Sequence, residues 1–224
     1  MPQGSLSALQ VSILRVLAPL TPQFTLTGGG ALAGFHTQHR TTRDLDLFWR
    51  GHRELGDLVA LVEGRLRSAG FELTTLRSAP AFHRFEVRNA EERCVLDLVA
   101  DPTRPVDPPE HRRLEGVDLS VESRHQLLVN KFLTLLRRAE IRDLRDVREL
   151  LATGGDFARA IRDAAETDLG FSALTLAWIL EGYKVHALAR AEGLDPGSAD
   201  ELERFRLELM ARLTSGIEKD GGGT

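Results

Sequence analysis

Two short runs carry most of the chemistry legible in this chain: Thr27-Gly28-Gly29-Gly30-Ala31-Leu32, and shortly after it Arg43-Asp44-Leu45-Asp46-Leu47-Phe48. Asp44 and Asp46 stand two apart in a run with Leu45, Leu47, Phe48 and Trp49 that reads as a buried strand. Side chains alternate along a strand, so both carboxylates point to one face. The segment after the glycines, Ala31 to His36, has helical composition and places Gly28, Gly29 and Gly30 at a strand-to-helix turn. At such a turn the backbone N–H groups and the helix dipole favour an anion. Triphosphate on the amides and a divalent metal on the aspartates together make a site for nucleotidyl transfer. Either run alone is also compatible with a plain tight turn or a capping aspartate.

A third acid, Asp97, lies inside the apolar run Cys94-Val-Leu-Asp-Leu-Val99. A carboxylate there costs several kcal/mol unless it is paired, binds metal or sits at a wet strand edge. If that strand neighbours the one carrying Asp44 and Asp46, three carboxylates converge. They would suit two ions about 3.5–4 Å apart that clamp the attacking and leaving oxygens of a phosphoryl displacement. Asp44 and Asp46 would bridge the metals, and Asp97 would complete the catalytic one and accept the proton of the incoming hydroxyl. Lys131 sits in the apolar helical stretch Leu127 to Leu136, where an ammonium must snorkel to water or meet an anion such as phosphate. Asp143 and Asp146, three apart on the next helix, share a face, with arginines beside each that could simply pair with them on the surface.

These positions need a scaffold, and the patterning supplies one. Apolar residues recur at helical spacing from Leu6 to Leu17, and Phe24–Thr27 is a strand leading into the glycines. Leu45–Trp49 is the next strand, and Glu54–Ala69 is an amphipathic helix that Gly70 stops. Phe71–Leu76, Phe82–Arg88 and Arg93–Ala100 read as three further strands. The proline-dense run Asp101 to Pro109 interrupts regular structure. Beyond it the expected helices are 123–138, 142–152, 156–166, 172–189 and 199–213. The fold class expected is α+β: an N-terminal α/β lobe over 1–105 with a small mixed sheet, then a helical lobe over 106–224. A hydrophobic share of 42% against 28% charged describes an ordinary globular protein, and no apolar run is long enough to cross a membrane. The single cysteine, Cys94, forms no internal disulfide, and with no signal-peptide order at the N-terminus the expectation is a cytoplasmic protein. The net charge of −4 does not announce a nucleic-acid binder, although arginines cluster at 112–113 and 137–148 and could steer a polyanion locally.

Taken with their order and spacing, Thr27 to Leu32, His39 to Phe48, Val95 to Leu98, and Lys131 followed by Arg142-Asp-Leu-Arg-Asp146 resemble the AbiEii/AbiGii toxin family of nucleotidyltransferases. The resemblance covers about residues 24–151 and implies a DNA polymerase β-like nucleotidyltransferase lobe followed by a helical one. It implies Mg²⁺ (or Mn²⁺) on Asp44, Asp46 and Asp97, and a nucleoside triphosphate held by Gly28, Gly29, Gly30, Thr42, Arg43 and Lys131. The Arg-Asp-x-x-Asp stretch would complete the site through Asp146 rather than Asp143. It further implies a toxin that modifies RNA, notably tRNA 3′ ends, paired with a separately encoded antitoxin protein. One position departs from the pattern: the family commonly has Ser or Thr after the glycine pair, and this chain has Gly30. The expectation is a missing phosphate-bonding hydroxyl and weakened binding. Two rival readings stay open: transfer to a small molecule, as in aminoglycoside-modifying enzymes of the same fold, and a nucleotide-binding interaction protein without turnover.

Overall fold

The computed structural model describes residues 6–37, 40–138 and 140–215. It divides into two compact units, Met1–Ser123 and Arg124–Thr224.

The first unit is built on a seven-stranded mixed sheet. Its strands in chain order are β1 (Thr25–Thr27), β2 (Asp44–Arg50), β3 (Glu72–Ala79), β4 (Phe82–Arg88), β5 (Arg93–Asp101), β6 (Glu110–Leu114) and β7 (Val117–Val121), and they lie side by side in the order β3-β4-β5-β2-β1-β7-β6. β2 runs parallel to β5 and β1 parallel to β7, while the other neighbours are antiparallel. Burial on β2 alternates as the sequence requires: Leu45, Leu47 and Trp49 are buried, and Asp44, Asp46, Phe48 and Arg50 are half-buried. The apolar side of the sheet, with Leu26, Leu96, Leu98, Phe85 and Val87, is fully buried. Helix α1 (Ala8–Leu17) packs against β5 and against α3 (Leu58–Ser68), and α3 packs against β3. A capping box starts α1, in which the Ser7 side chain accepts from the Gln10 amide and the Gln10 side chain accepts from the Ser7 amide.

The N-terminal unit extends past the expected lobe boundary at 105. Residues 102–109 are irregular, as their prolines dictate, but the chain then returns to the sheet as the β6–β7 hairpin. The hairpin turns at Glu115 and Gly116, both at positive φ (44° and 91°), the conformation a two-residue turn needs. β6 is a polar edge strand with half-buried ends and an exposed centre, so it carries no apolar alternation for sequence reasoning to detect.

The second unit is helical: α4 (Arg124–Arg137), α5 (Ile141–Ala152), α6 (Phe157–Thr167), α7 (Ala173–Glu181), α8 (Val185–Ala191) and α9 (Pro196–Ser215). The helix expected over 172–189 is two helices. They part at Gly182-Tyr183-Lys184, where the Tyr183 hydroxyl donates to the carbonyls of Leu135 (3.1 Å) and Arg138 (2.7 Å) at the end of α4. That anchor satisfies carbonyls left over by a helix C-terminus. Among the described residues no helix is long and apolar enough to cross a membrane.

Candidate active site

The glycine turn is one side of the site. Between β1 and the short helix α2 (Gly28–Ala31), which continues as a π-helical turn over Leu32–His36, Gly28 adopts φ +59°. L-residues with a β-carbon disfavour that conformation, and a β-carbon at Gly28 would also run into the Asp46 carboxylate. At Gly29 a β-carbon would lie 2.6 Å from the Thr42 hydroxyl oxygen. Both glycines are therefore required by the close approach of the turn to the strand that carries the acids. The first amides of α2 have no acceptor within the helix, because a helix leaves its initial N–H groups unmatched. A β-carbon at Gly30 would meet Leu45 Cδ2 at 3.0 Å and Leu26 Cδ1 at 3.1 Å, both core methyls. This corrects the expectation of a lost phosphate ligand: a side chain at position 30 starts toward the core, so glycine there serves packing.

The acids come from adjacent strands. Asp46 on β2 pairs in register with Thr27 on β1 and with Asp97 on β5, so Asp97 stands beside Asp46 on the same face of the sheet. Asp44, two residues earlier on β2, is opposite Val95. The Thr42 hydroxyl donates to Asp44 Oδ1 at 2.5 Å, while the Thr42 carbonyl accepts from Gln10 Nε2 of α1 at 3.1 Å. Thr42, named above as a nucleotide contact, is in this structure the residue that orients Asp44. Arg43 is exposed, and its carbonyl accepts from the Val95 amide, which continues the β2–β5 ladder.

Asp97 is not open to a metal in this arrangement. Arg84 on β4, its register partner, holds it with two parallel bonds, Nε to Oδ1 and Nη2 to Oδ2, each 2.6 Å. The pair, together with the nearby Asp44 and Asp46 carboxylates, pushes the Arg84 pKa up. Among the described residues no three His, Cys, Asp or Glu side chains are gathered closely enough to enclose an ion. The expected three-carboxylate convergence is thus complete in register and incomplete in contact. Hard carboxylate oxygens on Asp44 and Asp46, beside a turn with no room for a β-carbon, fit Mg²⁺ or Mn²⁺. Asp97 fits only once Arg84 lets go.

Sequence reasoning missed Arg84 and a second network on the same face. Arg50 of β2 bridges Asp101 and Glu122, and the Thr27 hydroxyl donates to the Glu122 carboxylate. His36, at the end of the π-helical turn, meets the Glu122 carbonyl at 2.8 Å. Buried Glu122, just beyond β7, thereby ties both ends of the glycine segment to the sheet. Cys94 lies on the opposite face, and burial pushes its thiol up to about 12, which makes it an inert core residue.

In the helical unit, Lys131 is neither snorkelled nor at the surface. Its Nζ lies 2.7 Å from Asp143 Oδ1 and 2.7 Å from Asp146 Oδ2, and Arg138 Nε donates to Asp143 Oδ2 at 2.9 Å. Both aspartates are fully buried, which corrects the reading of Asp143 and Asp146 as surface partners of nearby arginines. The helical spacing that put them on one face placed that face inward.

Comparison with known proteins agrees with this fold. A candidate nucleotidyltransferase from Helicobacter pylori is 22% identical, with a TM-score of 0.54 over 93% of this chain and 92% of that one. JHP933, also from Helicobacter pylori, is 19% identical with a TM-score of 0.53 over 97% of this chain and 98% of that one. MenT4, a nucleotidyltransferase toxin of Mycobacterium tuberculosis, is 20% identical with a TM-score of 0.56 over 71% of this chain and 62% of that one. No curated protein sequence matches significantly. The model of the nucleotidyl transferase AbiEii toxin family, of type IV toxin–antitoxin systems, matches residues 12–217. With the glycine turn, the paired aspartates and nearly the whole chain accounted for, this protein belongs to the AbiEii family of nucleotidyltransferase toxins.

Proposed function

We propose that this enzyme moves a nucleotide from a nucleoside triphosphate to a hydroxyl at an RNA 3′ end, with tRNA as the favoured acceptor, and that a separately encoded antitoxin restrains it. The observation that carries the reading is the seating of the Gly28–Gly29 turn against the strand bearing Asp44 and Asp46, with Asp46 directly opposite Thr27. The turn's amides hold the triphosphate, as unmatched helix N–H groups do. Asp44, oriented by Thr42, and Asp46 hold Mg²⁺, which when bound neutralises charge on the phosphates and polarises the phosphorus under attack. Asp97 stands beside them to accept the proton of the incoming hydroxyl. In the helical unit Lys131 directs two of its three N–H donors at Asp143 and Asp146, and the family resemblance is what assigns it a triphosphate oxygen. Asp146 acts by fixing that ammonium.

The antitoxin rests on family membership. Purified protein incubated with Mg²⁺, total RNA and each α-labelled triphosphate in turn is expected to label a tRNA-sized band with one nucleotide. Label on small cationic molecules with none on RNA would replace the acceptor class and leave the transfer chemistry standing.

A further inference from the structure

Arg84 has no place in the scheme above, yet it clamps one of the site's acids with two bonds. It grips both oxygens of Asp97, a side chain only 7% exposed, while its own side chain is 42% exposed. It also lies within electrostatic reach of Asp44 and Asp46. Three carboxylates on one sheet face repel one another without a cation among them. A guanidinium matches one carboxylate in the plane with two bonds, and Arg84 spends both on Asp97, whereas a small divalent ion can take oxygens from all three acids at once. Arg84 is also free to leave: its stem rises from a strand, its head reaches solvent, and it already lies 5.5 Å from the Phe82 ring, a face on which it can rest.

We propose that Arg84 is a displaceable internal cation: it occupies Asp97 in the resting protein, and a divalent metal must expel it before Asp97 joins Asp44 and Asp46. This rests on the reading that Asp44 and Asp46 take metal. Arg84 is then a positioning residue that raises the metal concentration at which the site assembles. No proton or electron is transferred in the exchange. One cation replaces another on the Asp97 oxygens, and the guanidinium moves to Phe82 and water.

Mn²⁺ binding to the full chain, followed by the loss of the free-ion electron paramagnetic resonance signal, tests this without reference to catalysis. Arg84→Met keeps the stem and removes the competitor, so Mn²⁺ affinity is expected to rise about tenfold, the scale of a lost charge-assisted pair. Arg84→Lys, a weaker single-bond partner, is expected to fall between. Adding Asp97→Asn to Arg84→Met is expected to abolish the gain, which a merely structural Arg84 would not produce. Melting curves supply a second readout: without metal Arg84→Met melts below the wild type, and Mn²⁺ raises its midpoint more than the wild type's. If Arg84→Met does not fold even with Mn²⁺, the Arg84→Lys titration decides on the same terms. Affinity unchanged or weaker in Arg84→Met, or in Arg84→Lys where that variant decides, overturns the proposal and leaves Arg84 a fixed partner of Asp97. Wild-type Mn²⁺ binding that is absent, or untouched by Asp46→Ala, would instead strike the metal reading beneath it.

Discussion

Each unit of this protein holds a cluster of aspartates with a cation on it, and the two clusters differ above all in how far water reaches that cation. At Asp97 the partner is Arg84, a side chain 42% exposed that water can take over. At Asp143 and Asp146 both carboxylates are 0% exposed and the Lys131 side chain is 10% exposed, so there is no water to replace a lost partner. A pair with one partner open to water is screened on that side and can be exchanged at lower cost than a sequestered one. A sequestered one contributes little net but is expensive to break, because each remaining charge is stranded. A basic side chain on aspartate therefore serves as a replaceable plug in one place and as a fixed joint in the other.

The sharpest way to break this contrast is at Lys131. Lys131→Met takes from two buried carboxylates the ammonium they share, and unfolding free energy is expected to drop by about 3–5 kcal/mol. Chemical denaturation measures it. A variant as stable as the wild type would put the cluster in the same class as Asp97, and Lys131 would then be a ligand-binding lysine with no structural task.

A smaller effect is expected at Gly30. Gly30→Ser presses a β-carbon on the Leu26 and Leu45 methyls, an overpacking of about 1–2 kcal/mol, with triphosphate affinity no tighter than the wild type's. Tighter binding at unchanged stability in calorimetric titrations would restore the idea of a missing hydroxyl.

Smaller still is the loss at Arg84. Its exposure limits the stability lost in Arg84→Met without metal to about 1 kcal/mol. A loss equal to that at Lys131 would erase the distinction between plug and joint. At the low end lies His83, buried beside Phe85 with its pKa pushed down by burial. The folded state binds this proton less readily than the unfolded chain, so its contribution is fully present above the ordinary histidine value of about 6.5 and fades as pH falls. A stability profile between pH 7 and pH 5 that is flatter in His83→Phe than in the wild type is the expected outcome.

The sequence exposes some of this design and hides the rest for identifiable reasons. The spacing of Asp44 and Asp46, and the alternation of Leu45, Leu47 and Trp49, lead directly to their observed faces, because a strand has a single period. The helical lobe is legible from its apolar stripes, except where Gly182 and the Tyr183 anchor divide α7 from α8. The β6–β7 hairpin is hidden because an edge strand with an exposed, charged centre carries no pattern. Arg84 was within reach: counting back from the Arg88–Arg93 pair beside the hairpin turn places it opposite Asp97. Pairing charges across expected strands, in addition to reading each strand alone, is the step that finds it. The inward burial of Asp143 and Asp146 was not within reach, since a helix face with two acids and neighbouring arginines reads equally well as a wet one.

With Asp46 as an acid of the proposed transfer site, nucleotide transfer depends on its carboxylate, and one measurement tests that dependence most directly. Wild-type protein and Asp46→Asn, a near-isosteric change, are incubated with Mg²⁺, total RNA and the α-labelled triphosphate the wild type uses, with melting curves confirming that both are folded. The expected result is label in RNA from the wild type and a loss of at least about a thousandfold in the variant, the scale of removing a metal-binding carboxylate from a phosphoryl-transfer site. Equal labelling by the two folded proteins would contradict the account.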